Sequence, residues 1–270
     1  MDYANILVSA DLGAASPDRV RLAASLARRF DATLTGAAAC EVPAPILVRD
    51  ADDAIDQEER NKAKVREILE QARALFERSA GDGIRTEWHA ARAKPFTHLV
   101  EQARSADLVV VGRRGPDDEE TGGLGVSPGP FLMEVGRPVL VAPPRLVHVK
   151  GTRIVVAWKD TPEARRAVTA ALPFLREADE VFVATVGDDA AQNGAEAVAG
   201  HLRRHGAPAS AHLMRPVRQE SDDILEFAQG READLIVMGA FGRSRLREWI
   251  FGGFTRDALE RCPVCCFMSH

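Results

Sequence analysis

Ala106-Asp107-Leu108-Val109-Val110-Val111-Gly112 and Ala233-Asp234-Leu235-Ile236-Val237-Met238-Gly239 repeat one pattern within a single chain. Each is a short, unbroken apolar run between polar or turn-forming residues. Such a run suits a strand buried on both faces, as in a parallel sheet covered by helices on either side. The two copies lie 127 residues apart, and Gly115 with Gly242 and Gly125 with Gly252 keep the same spacing. Self-similarity at a fixed offset marks a duplicated structural unit.

Working outward, the opening runs Ile6-Leu7-Val8 and Ile154-Val155-Val156 also match, but at an offset of 148. The difference of 21 residues places an insertion in the first copy, between Glu41 and Asn61. Each opening run leads to a helix start, Ser16-Pro17-Asp18 and Thr161-Pro162-Glu163. A hydroxyl there accepts an otherwise unpaired N–H, and proline has none to leave unpaired. Helices are expected over 19–30, 56–77, 96–104, 161–175, 190–204, 221–229 and 254–259. Further strands are expected over 32–39, 84–90, 139–141, 181–186, 208–214 and 264–268. Strands alternating with helices predict an α/β fold of parallel strands joined by right-handed crossovers. Pro143 and Pro144 stop the closing strand of the first copy. The domains are therefore drawn at 1–146 and 151–270. A linker this short predicts that the copies pack as an intramolecular pseudo-dimer with their closing strands adjacent.

The 270 residues are 46% hydrophobic and 28% charged, an ordinary globular mixture. Lys and Arg number 35 against 40 Asp and Glu, a net charge of −5. That balance argues against nucleic acid as a partner, and no basic amphipathic segment favours a membrane surface. The first residues have no basic stretch before an apolar one, so no secretory signal is read and a cytoplasmic location is expected. Cys262, Cys265 and Cys266 crowd into the last ten residues, unlike a disulfide framework. A strand would send Cys265 and Cys266 to opposite faces, so small apolar packing is expected there rather than a metal site. His201 and His205 share a helix face and are read as solvated. Trp158 is read as core.

The candidate chemistry lies in the glycines. In the second copy Gly239-Ala240-Phe241-Gly242 ends a strand, and Gly252-Gly253 precedes a helix opening with Phe254-Thr255. Glycine permits close approach and positive φ, so backbone N–H groups can surround phosphate oxygens. A helix N-terminus adds donors and a favourable dipole. Thr255 offers a hydroxyl, and Arg243 or Arg245 a positive charge.

Gly-x2-Gly-x9-Gly after an Ala-Asp-Leu-Ile-Val-Met strand, with closing runs such as Pro138-Val139-Leu140-Val141, resembles the universal stress protein family in two tandem copies. The resemblance implies, per copy, a five-stranded parallel open sheet with helices on both faces, of the adenine nucleotide alpha hydrolase-like, Rossmann-like kind. It also implies dimer-like packing through the last strands and, in some members, bound ATP, with Mg²⁺ as an optional companion. On that resemblance Gly239, Gly242, Gly252, Gly253, Phe254 and Thr255 take the phosphates and ribose, and Met238, Ala157 and Val186 line the adenine end. Gly253 departs from the usual Ser or Thr, and Lys159 from the usual Asp. The first copy keeps Asp11 but has Val126 at the hydroxyl position, and Asp117-Asp118-Glu119-Glu120 would repel a polyphosphate. The expectation is one adenine-nucleotide site, in the second copy, in a stress-response protein that acts through conformation or an unidentified protein partner. No catalytic residue is assigned. The alternatives are an interaction protein that has lost nucleotide and a slow ATPase or phosphotransferase; a homodimer of the whole chain stays open.

Overall fold

The computed structural model describes residues 2–115, 122–188, 190–242 and 253–270. The acidic run 117–120 and the candidates Arg243, Arg245 and Gly252 lie outside the described residues. The first half contains β1 (Asn5–Ser9), α1 (Ser16–Arg29), β2 (Thr33–Ala39), α2 (Ala51–Ala80), β3 (Thr86–Ala91), α3 (Pro95–Gln102), β4 (Leu108–Gly112), α4 (Pro128–Glu134) and β5 (Val139–Ala142). The second contains β6 (Arg153–Ala157), α5 (Pro162–Ala170), α6 (Leu172–Glu177), β7 (Glu180–Val186), α7 (Ala195–Arg204), β8 (Ala209–Met214), α8 (Glu220–Gly230), β9 (Leu235–Gly239), α9 (Phe254–Arg261) and β10 (Cys265–Ser269).

The strands form one sheet in the order β3-β2-β1-β4-β5-β10-β9-β6-β7-β8. Pairing is parallel within each half. Where the halves meet, β5 and β10 pair antiparallel, with Leu140 opposite Phe267. The closing strands are therefore adjacent, and two five-stranded sheets become one ten-stranded sheet.

The apolar run that decides the fold is buried on both faces. Leu108 and Val110 join a core cluster with α1, α5 and α7, while Val109 and Val111 join a second with α3, α4 and α8. Burying each such side chain stabilises the fold by roughly 1.5–3 kcal/mol. The first cluster crosses the junction between halves. The Tyr3 hydroxyl donates to the Ala170 carbonyl at 2.7 Å. The Phe174 ring meets those of Phe30 and Phe267 edge-on, with centroids 5.2 and 6.0 Å away. Arg29 pairs with Glu177 at 2.7 Å and lies over the rings of Phe30 and Phe174.

Local differences from the sequence expectation have physical causes. Thr161 caps α5 as expected, its hydroxyl accepting from the Ala164 N–H. Ser16 does not cap α1; its hydroxyl accepts the Asp11 N–H instead, and Ala15 holds the cap position. The helix expected over 161–175 is two, because Pro173 supplies no N–H to continue the first. The helix expected from Ala190 starts at Ala195, after Gly194 in the left-handed region at φ +73°. The first half's insertion forms the segment 40–50 and the opening turns of α2, which has 30 residues against 10 in α7.

Because the core is continuous across the junction, Phe267→Ala should destabilise both halves together, by about 3–5 kcal/mol. Urea unfolding should remain a single transition shifted to lower denaturant. Two separated transitions in the wild-type protein would show that the halves unfold independently.

Candidate functional site

In a parallel strand–helix unit the chain leaves each strand at its carboxyl end and enters the next helix there, so helix N-termini gather on that edge. At that edge of the second half lies a cleft of about 810 Å³. Its floor is the ends of three strands, with Ala157 on β6, Val186 on β7, and Met238 and Gly239 on β9. Thr161, Pro162 and Ala164 bring the start of α5 to the rim, Glu220 and Ile224 that of α8, and Gly253, Phe254 and Thr255 that of α9. Gly242 completes the loop side, and Trp158, Lys159, Asp160, Arg165 and Asn193 the remainder. The structure thus brings Ala157, Val186, Met238, Gly239, Gly242, Gly253, Phe254 and Thr255 around one cavity.

The glycines serve different purposes from those expected. None of Gly239, Gly242 and Gly253 has a positive φ; among the described residues of this loop, Phe241 is left-handed, at φ +50°. Its N–H donates to the Thr255 hydroxyl at 3.2 Å. That hydroxyl, buried and expected to face a ligand, therefore ties the loop to α9, with its proton and one lone pair left for other partners. A Cβ on Gly239 would stand 2.5 Å from the Ala164 nitrogen and 2.9 Å from the Glu163 carbonyl carbon. Gly239 is therefore required by the close packing of α5 on β9. At Gly242 a Cβ would meet none of the described residues nearer than 3.9 Å, where Glu163 and Thr161 stand.

The electrostatics come from the backbone. Among the described residues, the four charged side chains on the rim are paired, Lys159 with Glu220 at 3.4 Å and Arg165 with Asp160 at 2.5 Å. What remains is the positive end of α9, whose cap residue Gly253 provides no side-chain acceptor. The first N–H groups of a helix have no partner within it, so they are donors available to an anion. Ala157, Trp158, Ile224 and Met238 make the opposite wall apolar and dry. An apolar wall facing backbone donors suits a ligand with a flat ring and an anionic tail. The residues present thus fit a nucleotide.

Behind the rim, burial alone would raise the Glu163 carboxyl. Hydrogen bonds from its own N–H and from Thr161, with the charges of Arg166 and His270, outweigh that and hold it below its ordinary value. Trp158 is buried as expected, its indole N–H donating to the Asn193 carbonyl at 2.6 Å, and it also forms part of the cleft wall. Sequence reasoning passed over Asp160, Arg165, Asn193, Glu220 and Ile224. The available signal was positional, since residues opening a helix after a parallel strand must reach this edge. Elsewhere, Cys265 and Cys266 face opposite sides of the sheet, in different core clusters. The His201 and His205 rings stack edge to face on α7, 4.5 Å apart. Among the described residues no group of three or more His, Cys, Asp or Glu is placed to hold a metal ion.

A duplicated, mostly parallel α/β sheet with a cleft at the carboxyl edge of the second half defines a tandem protein of Rossmann-like fold. The sequence model of the universal stress protein family matches residues 2–129 and 151–268, and the chain belongs to that family. A universal stress protein from Archaeoglobus fulgidus has the same fold over 97% of both chains, at a TM-score of 0.70 and 18% identity. The curated relative Slr1230, a universal stress protein of Synechocystis, is 23% identical over 164 residues. That match spans 58% of this chain and 56% of the relative. A universal stress protein solved in complex with cAMP aligns with 53% of this chain and 98% of its own, at 26% identity and a TM-score of 0.35.

The two strand-end glycines should respond differently to a methyl group. Gly239→Ala should cost about 1–3 kcal/mol because the clash is with backbone that cannot turn aside. Gly242→Ala should stay within about 0.5 kcal/mol of wild type. Denaturant unfolding of both variants measures this; equal losses would contradict the assignment of Gly239 to packing and Gly242 to an open cleft.

Proposed function

We propose that the second half binds an adenine nucleotide, ATP being the first to test, and that the chain acts as a ligand-responsive stress protein rather than a catalyst. The phosphates lie along Gly239, Gly242 and Gly253 toward the N–H groups of Phe254 and Thr255; Gly252 and Arg243 stay candidates on the sequence pattern alone. The base lies against Ala157, Val186 and Met238. The observation that carries this reading is the cleft of about 810 Å³, lined by Gly239, Gly242 and Gly253 beside the N-terminus of α9, whose cap residue offers no side-chain acceptor. Lys159 already pairs with Glu220, so it meets a phosphate only by leaving that partner. A cytoplasmic location fits the free thiols of Cys40, Cys262, Cys265 and Cys266. Among the described residues no helix is long and apolar enough to cross a membrane.

A protein-binding role without nucleotide is the second reading. It is favoured by the segment before α2, where Leu47 is 98% exposed beside exposed Ile46 and Val48. Such side chains in water mark a contact surface when they cluster.

Titration calorimetry with ATP, with and without Mg²⁺, separates the two. Wild-type protein should bind, and Gly242→Val should weaken binding at least tenfold, about 1.4 kcal/mol, while remaining folded. Gly253→Ser should tighten it. Gly253 sits at φ −106°, open to any residue, and serine adds a hydroxyl at the mouth of α9. No heat with millimolar ATP under either condition would overturn the nucleotide reading and leave the protein-binding one.

A further inference from the structure

We propose that Cys262 and Cys266 are a peroxide-reacting pair, in which the Cys262 sulfur is oxidised first and Cys266 then closes a disulfide with it. The pair lies where α9 ends and β10 begins, and the proposal does not rest on the nucleotide reading. Cys262 caps the carboxyl end of α9, its N–H donating to the Ala258 carbonyl. Cys266 lies in β10, paired with Ile236 on one side and opposite Val141 on the other. The two cysteines share one core cluster, on the sheet face away from Cys265.

The surroundings of the two sulfurs differ. The Cys262 sulfur accepts hydrogen bonds from the Cys266 thiol and from the Val264 N–H. The Arg113 guanidinium, which donates to the Cys262 carbonyl at 2.9 Å, adds a positive charge beside them. Together these contacts outweigh burial and hold the Cys262 thiol below its ordinary value. The proton it donates, with burial, holds Cys266 well above its own. One sulfur is thus prepared as the nucleophile and its neighbour as the thiol that resolves it. Sulfurs already in hydrogen-bond contact are the close pair that a disulfide requires.

The fold does not call for sulfur at either place. The register of β4 with β5 and of β9 with β10 matches Val139 with Cys266, through Val109 and Ile236. The helix caps match Val135 with Cys262, since the Val135 N–H donates to Phe131 as the Cys262 N–H does to Ala258. Both matches keep the 127-residue offset of the repeat. The first half fills the same corner with two buried valines, so packing alone is met without thiols. Both sulfurs are buried, but Cys262 stands between exposed Arg261 and Pro263, and a groove of about 600 Å³ reaches Pro263 and Val264. Helix ends fray, so opening of the last turn of α9 admits a molecule as small as hydrogen peroxide.

In the first step the Cys262 thiolate attacks one peroxide oxygen and the O–O bond breaks. The other oxygen leaves as hydroxide and becomes water with the proton that Cys262 gave up, and Cys262 is left as a sulfenic acid. The Cys266 sulfur then attacks the Cys262 sulfur, the S–O bond breaks, and the departing hydroxide takes the Cys266 proton. Two thiols and one hydrogen peroxide give one disulfide and two waters; the sulfurs lose the two electrons that the peroxide gains.

The test treats the reduced full-length chain with one equivalent of hydrogen peroxide, alkylates it in denaturant and maps the peptides by mass spectrometry. In wild type, Cys262 and Cys266 should escape alkylation together, as a disulfide within peptide 262–270 that dithiothreitol reopens. Cys265→Ala should behave the same. Cys266→Val, which copies the first half, should stop at the sulfenic acid, read as a dimedone adduct on Cys262. Cys262→Val should leave Cys266 fully alkylated. If either valine variant fails to fold by circular dichroism, the wild-type and Cys265→Ala peptides decide. Full alkylation of Cys262 and Cys266 in wild type, loss of the disulfide in Cys265→Ala, or oxidation of the partly exposed Cys40 ahead of them would overturn the proposal. So would a folded Cys266→Val with no adduct on Cys262.

Discussion

The rest of the structure depends on the antiparallel pairing of β5 with β10. Every residue of both strands is buried, from Val139 to Ala142 and from Cys265 to Ser269. An unpaired strand of this kind would present its backbone donors and acceptors together with a run of apolar side chains. Joining the two edges satisfies both and makes a single core, in which Phe174 meets Tyr3 and Phe30 of the other half, and Phe267 lies opposite Leu140. Antiparallel pairing also sets direction. The strands of one half run opposite to those of the other, so the carboxyl edges of the halves lie at opposite ends of the ten-stranded sheet. The carboxyl edges of the two halves therefore face away from each other and cannot merge into one cleft.

Given that separation, each half is free to change its own edge. The second keeps short side chains at the mouth, Ala157 and Ala164, around its cleft. The first buries Arg19 against Asp11 at 2.6 Å, beside the end of β4. The same strand-end glycine accommodates a different neighbour in each half. At Gly239 it is the backbone of α5, and at Gly112 it is a guanidinium. Duplication conserves the shape of a corner while the residue that fills it changes.

Much of this was legible in the sequence because burial on both faces leaves a plain pattern. The runs 108–111 and 235–238 announced central parallel strands, and their spacing announced the duplication. Thr161-Pro162 announced a helix start, and eight candidate residues meet around one cleft because strand ends and helix starts share an edge. The antiparallel seam was legible only as adjacency, since the last strands carry no sign of direction. Ser16 misled because its hydroxyl has a competing donor, the Asp11 N–H, that only the folded loop supplies. The Arg19–Asp11 pair was invisible for a related reason. An arginine near a helix start reads as a solvated charge until the register of β1 against β4 puts Gly112 beneath it.

Hydrogen exchange of the intact chain with and without ATP, followed by mass spectrometry, tests the account most directly, because it reads both edges in one measurement. The account predicts slowed exchange at residues 239–242 and 253–256, with no change at residues 9–19 and 112–115. Equal slowing at both edges, or slowing at the first alone, would contradict it.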